Sequence, residues 1–342
     1  MTTIKYLSIC SGIESVGVAW NLLGFECLGL SEIDPFRSAV LNYRYPEVKN
    51  HGDFTKIEKE DLSSRPDILV GGTPCATFSV AGYRKGIKSS RGNLALEFIL
   101  LAERLNPTWI LWENVPGVLS SNEGKDFGSF LGGLAEFGYG FSYRVLDTQH
   151  IRTQRFPRAI PQRRRRVFVV GHSGADWKNP AKVLFDKISL READKPVRRK
   201  SLQNTCQLER ELKESDRMYW KKINRKGEFV TESEKNEVSN TLTATGRFSM
   251  PQGPIILKDE GPCENQNYSD DVERNDCLRI LTPVECERLQ GFPDNYTQIP
   301  YKGKPKEECP VSKRYEACGR AMSINVMEWL GTRIQKVHQG EI

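Results

Sequence analysis

Ile68-Leu69-Val70-Gly71-Gly72-Thr73-Pro74-Cys75 opens as a short apolar run and closes on paired glycines and a proline. That pattern predicts a buried parallel strand ending just before Cys75. A second run, Trp109-Ile110-Leu111-Trp112-Glu113-Asn114-Val115-Pro116, ends in the same way and carries a carboxyl group, Glu113, at its tip. In open α/β sheets the ligand crevice lies beyond the carboxyl ends of the strands. A thiol and a carboxyl on adjacent tips therefore suit covalent chemistry. Cysteine alone is often only a small buried hydrophobe, so its pairing with Glu113 carries the reading.

Working outward, strands are expected at 6–10, 26–31, 143–147 and 166–171, with helices at 15–23, 36–45, 93–105 and 128–137. This alternation predicts an α/β fold, a doubly wound and mostly parallel sheet. From 173 to about 278 Lys and Glu become dense and periodicity fades, as expected of a second, smaller and irregular domain. Helical pattern returns at 281–289, where Thr282-Pro283 and Glu285 form a start signal, and at 315–337.

The 342 residues are 38% hydrophobic and 27% charged, a globular composition. No segment reaches the roughly 18 apolar residues of a membrane span, and the N-terminus lacks a signal-peptide core, so a cytoplasmic protein is expected. Nine cysteines contain no Cys-x-x-Cys pair, so free thiols and no structural metal are expected. The net charge is a modest +6, yet Arg152, Arg155, Arg158 and Arg163 to Arg166 place seven arginines within fifteen residues. Such a cluster is either a solvated basic face or a surface for phosphate.

Three further tips lie along the expected sheet edge. They are Cys10-Ser11-Gly12-Ile13-Glu14, Glu32-Ile33-Asp34-Pro35 and Gly52-Asp53-Phe54. Each could be simple capping; together they suit an adenosine-type cofactor. The dinucleotide fingerprint Gly-x-Gly-x-x-Gly is missing, which argues against a dehydrogenase.

With these stretches in order, followed by Gln162-Arg163-Arg164-Arg165-Arg166, Arg288-Leu289-Gln290-Gly291-Phe292-Pro293-Asp294 and a final Gly319, the chain resembles the DNA (cytosine-5) methyltransferase family of prokaryotes and phages. The resemblance implies a catalytic domain over 1–172 that binds S-adenosyl-L-methionine. It also implies a target-recognition domain with its connecting segment over 173–312, and a C-terminal helix over 313–342 that returns to the first domain. Cys75 would add to C6 of a cytosine flipped out of double-stranded DNA. Glu113 would hold the base and share a proton, with Arg164 and Arg166 orienting it. Cys10, Ser11, Gly12, Ile13, Glu32, Ile33, Asp53, Phe54, Pro74, Ala76, Arg320 and Ala321 would meet the cofactor. Ser79, Arg91, Gln162, Thr241 and Thr243 would meet DNA. A monomer without a metal is expected.

The chain departs from the family pattern at two positions near the transferable group. Ala76 stands where the family usually has Gln, and Arg320 where it has Asn. One account pairs Arg320 with an anion and keeps ordinary methylation. The other makes carboxy-S-adenosyl-L-methionine the donor and 5-carboxymethylcytosine the product, with Arg320 on the carboxylate. Glu14-Ser15 also replaces the usual Gly-Gly of the first turn. An RNA cytosine-5 methyltransferase and a non-catalytic DNA-binding protein are the remaining alternatives.

Overall fold

The computed structural model describes residues 3–74, 94–185 and 281–342, together with the backbone of short strands between 216 and 280. Six strands form one sheet in the order β2-β1-β3-β4-β7-β5. They are β1 Lys5–Ile9, β2 Glu26–Ser31, β3 Ile68–Gly71, β4 Trp109–Asn114, β5 Tyr139–Asp147 and β7 Arg165–Ser173; a two-residue β6, Gln162–Arg163, lies apart. β2, β1, β3 and β4 are parallel, and β3 is buried on both faces, which explains its unbroken apolar run.

β7 runs antiparallel to both its neighbours, β4 and β5. The sheet is mostly parallel, as expected, and the connection explains why β7 is reversed. A parallel return needs a crossover, usually a helix, whereas 148–164 carries only a short helical turn, Thr148–His150, and β6. β5 and β7 also begin earlier and pair over nine residues each, because their ladder continues past the apolar stretch.

Successive residues of the strands feed opposite cores, as a period of two requires. Tyr6, Ile68, Val70, Trp109 and Leu111 pack on one face against α1 (Ser15–Trp20), α2 (Pro35–Arg44) and α8 (Ile324–His338). Leu7, Ile9, Leu69, Ile110 and Trp112 pack on the other against α3 (Leu94–Leu105) and α4 (Lys125–Glu136).

α5, Lys178–Leu184, packs in the first core: Val183 and Leu184 are buried there, and Arg144 Nη1 donates to the Leu184 carbonyl at 2.9 Å. Phe292, Tyr296 and Ile299, in the chain after α6 (Pro283–Gln290), belong to the same core, while Cys286 and Leu289 of α6 pack with Leu281 and Cys318 in a smaller cluster. The start of α6 is as expected: Thr282 and Glu285 cap each other's backbone N–H.

The single helix expected at 315–337 is two, α7 Val311–Arg320 and α8, broken at Ala321–Ser323. The carbonyls of Gly319 and Ala321, which a continuous helix would give to its own N–H groups, are taken by the guanidinium of Arg164 instead. Between 216 and 280, the strands Asp216–Tyr219, Ile255–Lys258 and Cys277–Ile280 pair antiparallel. No helix among the described residues is long and apolar enough to cross a membrane.

Candidate active site at the carboxyl edge of the sheet

β3 and β4 end side by side, with Gly71 opposite Trp112. Beyond that point side chains join the two tips. Trp112 Nε1 donates to Thr73 Oγ1 at 3.0 Å, and Asn114 Nδ2 donates to the Thr73 carbonyl at 2.9 Å. Thr73, Trp112 and Asn114 are all buried, so these bonds are shielded from water. Pro74 then emerges exposed, and Cys75 is the next residue. Cys75 itself lies outside the described residues, as do Ala76, Ser79, Arg91, Thr241 and Thr243.

Glu113 sits on the neighbouring tip, largely shielded, with Oε1 3.0 Å from Nε of Arg166. Arg166 is fixed in turn by donating to the Arg165 carbonyl at 2.8 Å. A Cβ built on Gly72 would stand 2.8 Å from Glu113 Oε2 and 3.3 Å from Met322 Cε. Glycine at 72 therefore gives the carboxyl its place, and Met322 borders the same spot. Sequence reasoning missed Met322, which follows the Gly319-Arg320-Ala321 motif directly.

Arg164 is a buried member of the arginine run. It is 3% exposed, and its Nη1 and Nη2 donate to the carbonyls of Gly319 and Ala321 at 3.3 and 2.8 Å. Burial, and then the neighbouring charge of Arg166, pushes its guanidinium down to about 9, so it stays a cation at neutral pH. It clamps the turn between α7 and α8 to the start of β7. Arg164→Ala should lower stability by about 2–4 kcal/mol, because two buried carbonyls lose their donor. The check is a lower urea midpoint at unchanged slope.

Gln162 also faces inward. It is fully buried, and neither amide atom finds a partner among the described residues. Arg163 and Arg165, which alternate with it along the chain, are the exposed members of the run.

The cofactor candidates do come together at the tips of β1 and β2. Ser11 N–H donates to the Ser31 carbonyl at 2.9 Å and Ser31 N–H returns a bond to Ser11 Oγ at 2.9 Å. Gly12 has φ 60° and donates its N–H to Glu32 Oε2 at 3.0 Å. Glu32 Oε1 accepts from the N–H groups of Ile33 and Asp34 and from Arg37 Nη2 at 3.1 Å. Arg37 is a residue the sequence did not single out; one helical turn into α2, it steadies this carboxylate. Cys10 has φ 48°, and burial pushes its thiol up to about 12, so it remains protonated. Ile13 is core, its carbonyl accepting from the Tyr296 hydroxyl at 2.9 Å.

Asp53 is 43% exposed; its Oδ1 accepts from Thr55 N–H and Oγ1. Phe54 places its ring in the core with Ile57 and Leu69, which anchors that tip. Arg320 is 51% exposed and pairs with Glu316 Oε1 at 3.2 Å, while Ala321 is buried.

These residues fit an adenosyl sulfonium cofactor. The space above Gly12 is open among the described residues, with nothing within 4 Å of a Cβ built there. Glu32 Oε2 retains a lone pair beside it. Ile33 leaves an apolar side chain 76% exposed at the tip of the next strand, a flat support for an adenine ring. Glu32 would hold ribose hydroxyls, and Asp53, by its Oδ2, the adenine amino group.

The Glu113–Arg166 pair thus lies at the same sheet edge as a cradle that fits an adenosyl cofactor. The family model for C-5 cytosine-specific DNA methylases matches residues 4–336, and the chain belongs to that family. It is 30% identical over 310 residues to the type II methyltransferase M.MthTI of Methanothermobacter thermautotrophicus, covering 85% of this chain and 87% of that one. It is 31% identical to a DNA N-6-adenine-methyltransferase of Escherichia phage P1, over 98% of this chain but only 62% of that longer protein. Among solved structures, Schizosaccharomyces pombe Dnmt2 methyltransferase superposes with a TM-score of 0.62 at 17% identity, covering 97% of this chain and 98% of that one.

Proposed function

We propose that this chain transfers the methyl group of S-adenosyl-L-methionine to C5 of a cytosine flipped out of double-stranded DNA, with Cys75 as nucleophile. One observation carries the reading: Glu113 and Arg166 form a shielded pair at 3.0 Å on the tip next to the one that leads into Pro74-Cys75.

Cytosine C5 is a poor nucleophile. A bond from the Cys75 thiolate to C6 moves the ring's electron pair to C5, and Glu113 at N3 and the 4-amino group balances the change by sharing a proton. Arg166 keeps Glu113 in place, and its positive charge favours a thiolate nearby. Bound S-adenosyl-L-methionine supplies a methyl group made electrophilic by the sulfonium. Loss of the C5 proton then expels the thiolate and restores the ring. The exposed arginines at 152, 155, 158, 163 and 165 offer cations to the phosphate backbone.

The donor reading follows from Arg320. Its partner Glu316 already supplies the anion, so the cation has no need of a carboxylate on the transferred group. Ordinary S-adenosyl-L-methionine is the donor favoured here over carboxy-S-adenosyl-L-methionine. Incubation with each donor and duplex DNA, followed by nucleoside mass analysis, should give 5-methylcytosine with the first. Arg320→Asn should leave donor preference unchanged. A product at 5-carboxymethylcytosine would reverse the donor assignment, and N6-methyladenine, the reaction named for the P1 protein, would overturn the base assignment.

A further inference from the structure

Glu14 is a buried group that the chemistry above does not use. It directly follows the cofactor turn, is 0% exposed, and has a left-handed backbone, φ 62° and ψ 60°. A residue with a side chain adopts that conformation at a cost glycine avoids. Its carboxylate bonds explain how it is kept. Oε2 accepts from Ser8 Oγ at 2.8 Å, and Oε1 accepts from the Gly17 N–H at 2.8 Å and the Tyr6 hydroxyl at 3.5 Å. Through these bonds Glu14 ties the turn to β1 beneath it and to the first turn of α1. Gly17 has no room for a larger residue, since a Cβ there would meet Tyr45 Oη at 2.7 Å.

The titratable groups that face Glu14 are Tyr6 on β1, Cys27 on β2, Tyr45 at the end of α2 and Tyr296 after α6. Burial raises all four, so each is neutral around pH 7. Arg44 stands 4.9 Å from the centre of the Tyr296 ring. Burial also raises the Glu14 carboxyl, to about 7, against the hydrogen bonds from Ser8, Gly17 and Tyr6 that favour its anion.

We propose that Glu14 is a positioning residue of the cofactor turn whose ionisation couples affinity for a cationic adenosyl cofactor to proton concentration. The inference rests on the functional reading above. The anionic form accepts more strongly from Gly17 and Ser8 and attracts a bound cation. Cofactor affinity therefore rises with pH, and binding expels a proton from Glu14. The empty protein has the opposite trend. Because the folded carboxyl lies above its unfolded value, its contribution to stability is present below the unfolded value and is lost as pH rises through about 7.

Calorimetric titration with S-adenosyl-L-methionine over roughly pH 6 to 8.5 should show Kd tightening by about three- to tenfold as pH rises. Glu14→Gln keeps the shape and removes the charge, so its profile should be flat. Ser8→Ala removes a bond to the anion, so its midpoint should move to higher pH; it tests the same coupling if the glutamine variant does not fold. Without cofactor, the urea midpoint of the wild type should fall with pH relative to Glu14→Gln. Profiles unchanged by either substitution would overturn the coupling alone. A wild type that binds no S-adenosyl-L-methionine at any pH would overturn the functional reading as well.

Discussion

Cys75→Ser should lower turnover by at least about 10⁴-fold, the scale on which loss of a covalent nucleophile is felt. Addition to C6 needs an anion. A thiol of pKa near ~8.5 supplies a useful fraction of anion near neutral pH, whereas a serine hydroxyl does not ionise in that range. The cofactor cradle is built from β1 and β2, so S-adenosyl-L-methionine binding should be unchanged in the variant. Duplex DNA carrying 5-fluorocytosine gives a second measurement: the wild type should form an adduct that survives denaturation, and the variant none. A serine enzyme retaining a tenth of wild-type turnover would place the nucleophile elsewhere.

Glu113→Gln should lower kcat by roughly 10²–10⁴-fold, the usual contribution of a positioned proton donor or acceptor. The amide fills the space that Gly72 leaves, so the loss is chemical and not steric. It cannot take up and return a proton, and it leaves Arg166 facing a neutral group in a shielded site. Single-turnover rates should fall while the Kd for S-adenosyl-L-methionine holds. Equal losses in both would mean that the carboxyl holds the fold together instead.

Much of this architecture is legible in the chain. Four buried parallel strands announce themselves as apolar runs, and Glu113 is readable because a carboxyl closes one of them. The antiparallel course of β7 is not, because the apolar pattern of residues 166–171 suits either direction; the lack of a crossover helix between 148 and 164 decides it. Arg164 and Arg166 show the same limit. Both are arginines in one run, yet one reaches Glu113 and the other the carbonyls of a turn more than 150 residues away. Arg37 and Met322 escape sequence reasoning for that reason too: their importance lies in partners that only folding brings near. The ring of Phe54 likewise lies in the core, since a ring beside a strand tip and a ring beneath it have the same sequence.

The bond from Trp20 Nε1 to the Met327 carbonyl joins residues 307 positions apart. A ribosome adding roughly 5–20 residues per second makes α1 some 15–60 seconds before its cover exists. Throughout that interval one side of the sheet lacks α8, and the bend that Arg164 grips has not been made. The first core and the bend at Ala321–Ser323 are therefore completed only once α8 has been made.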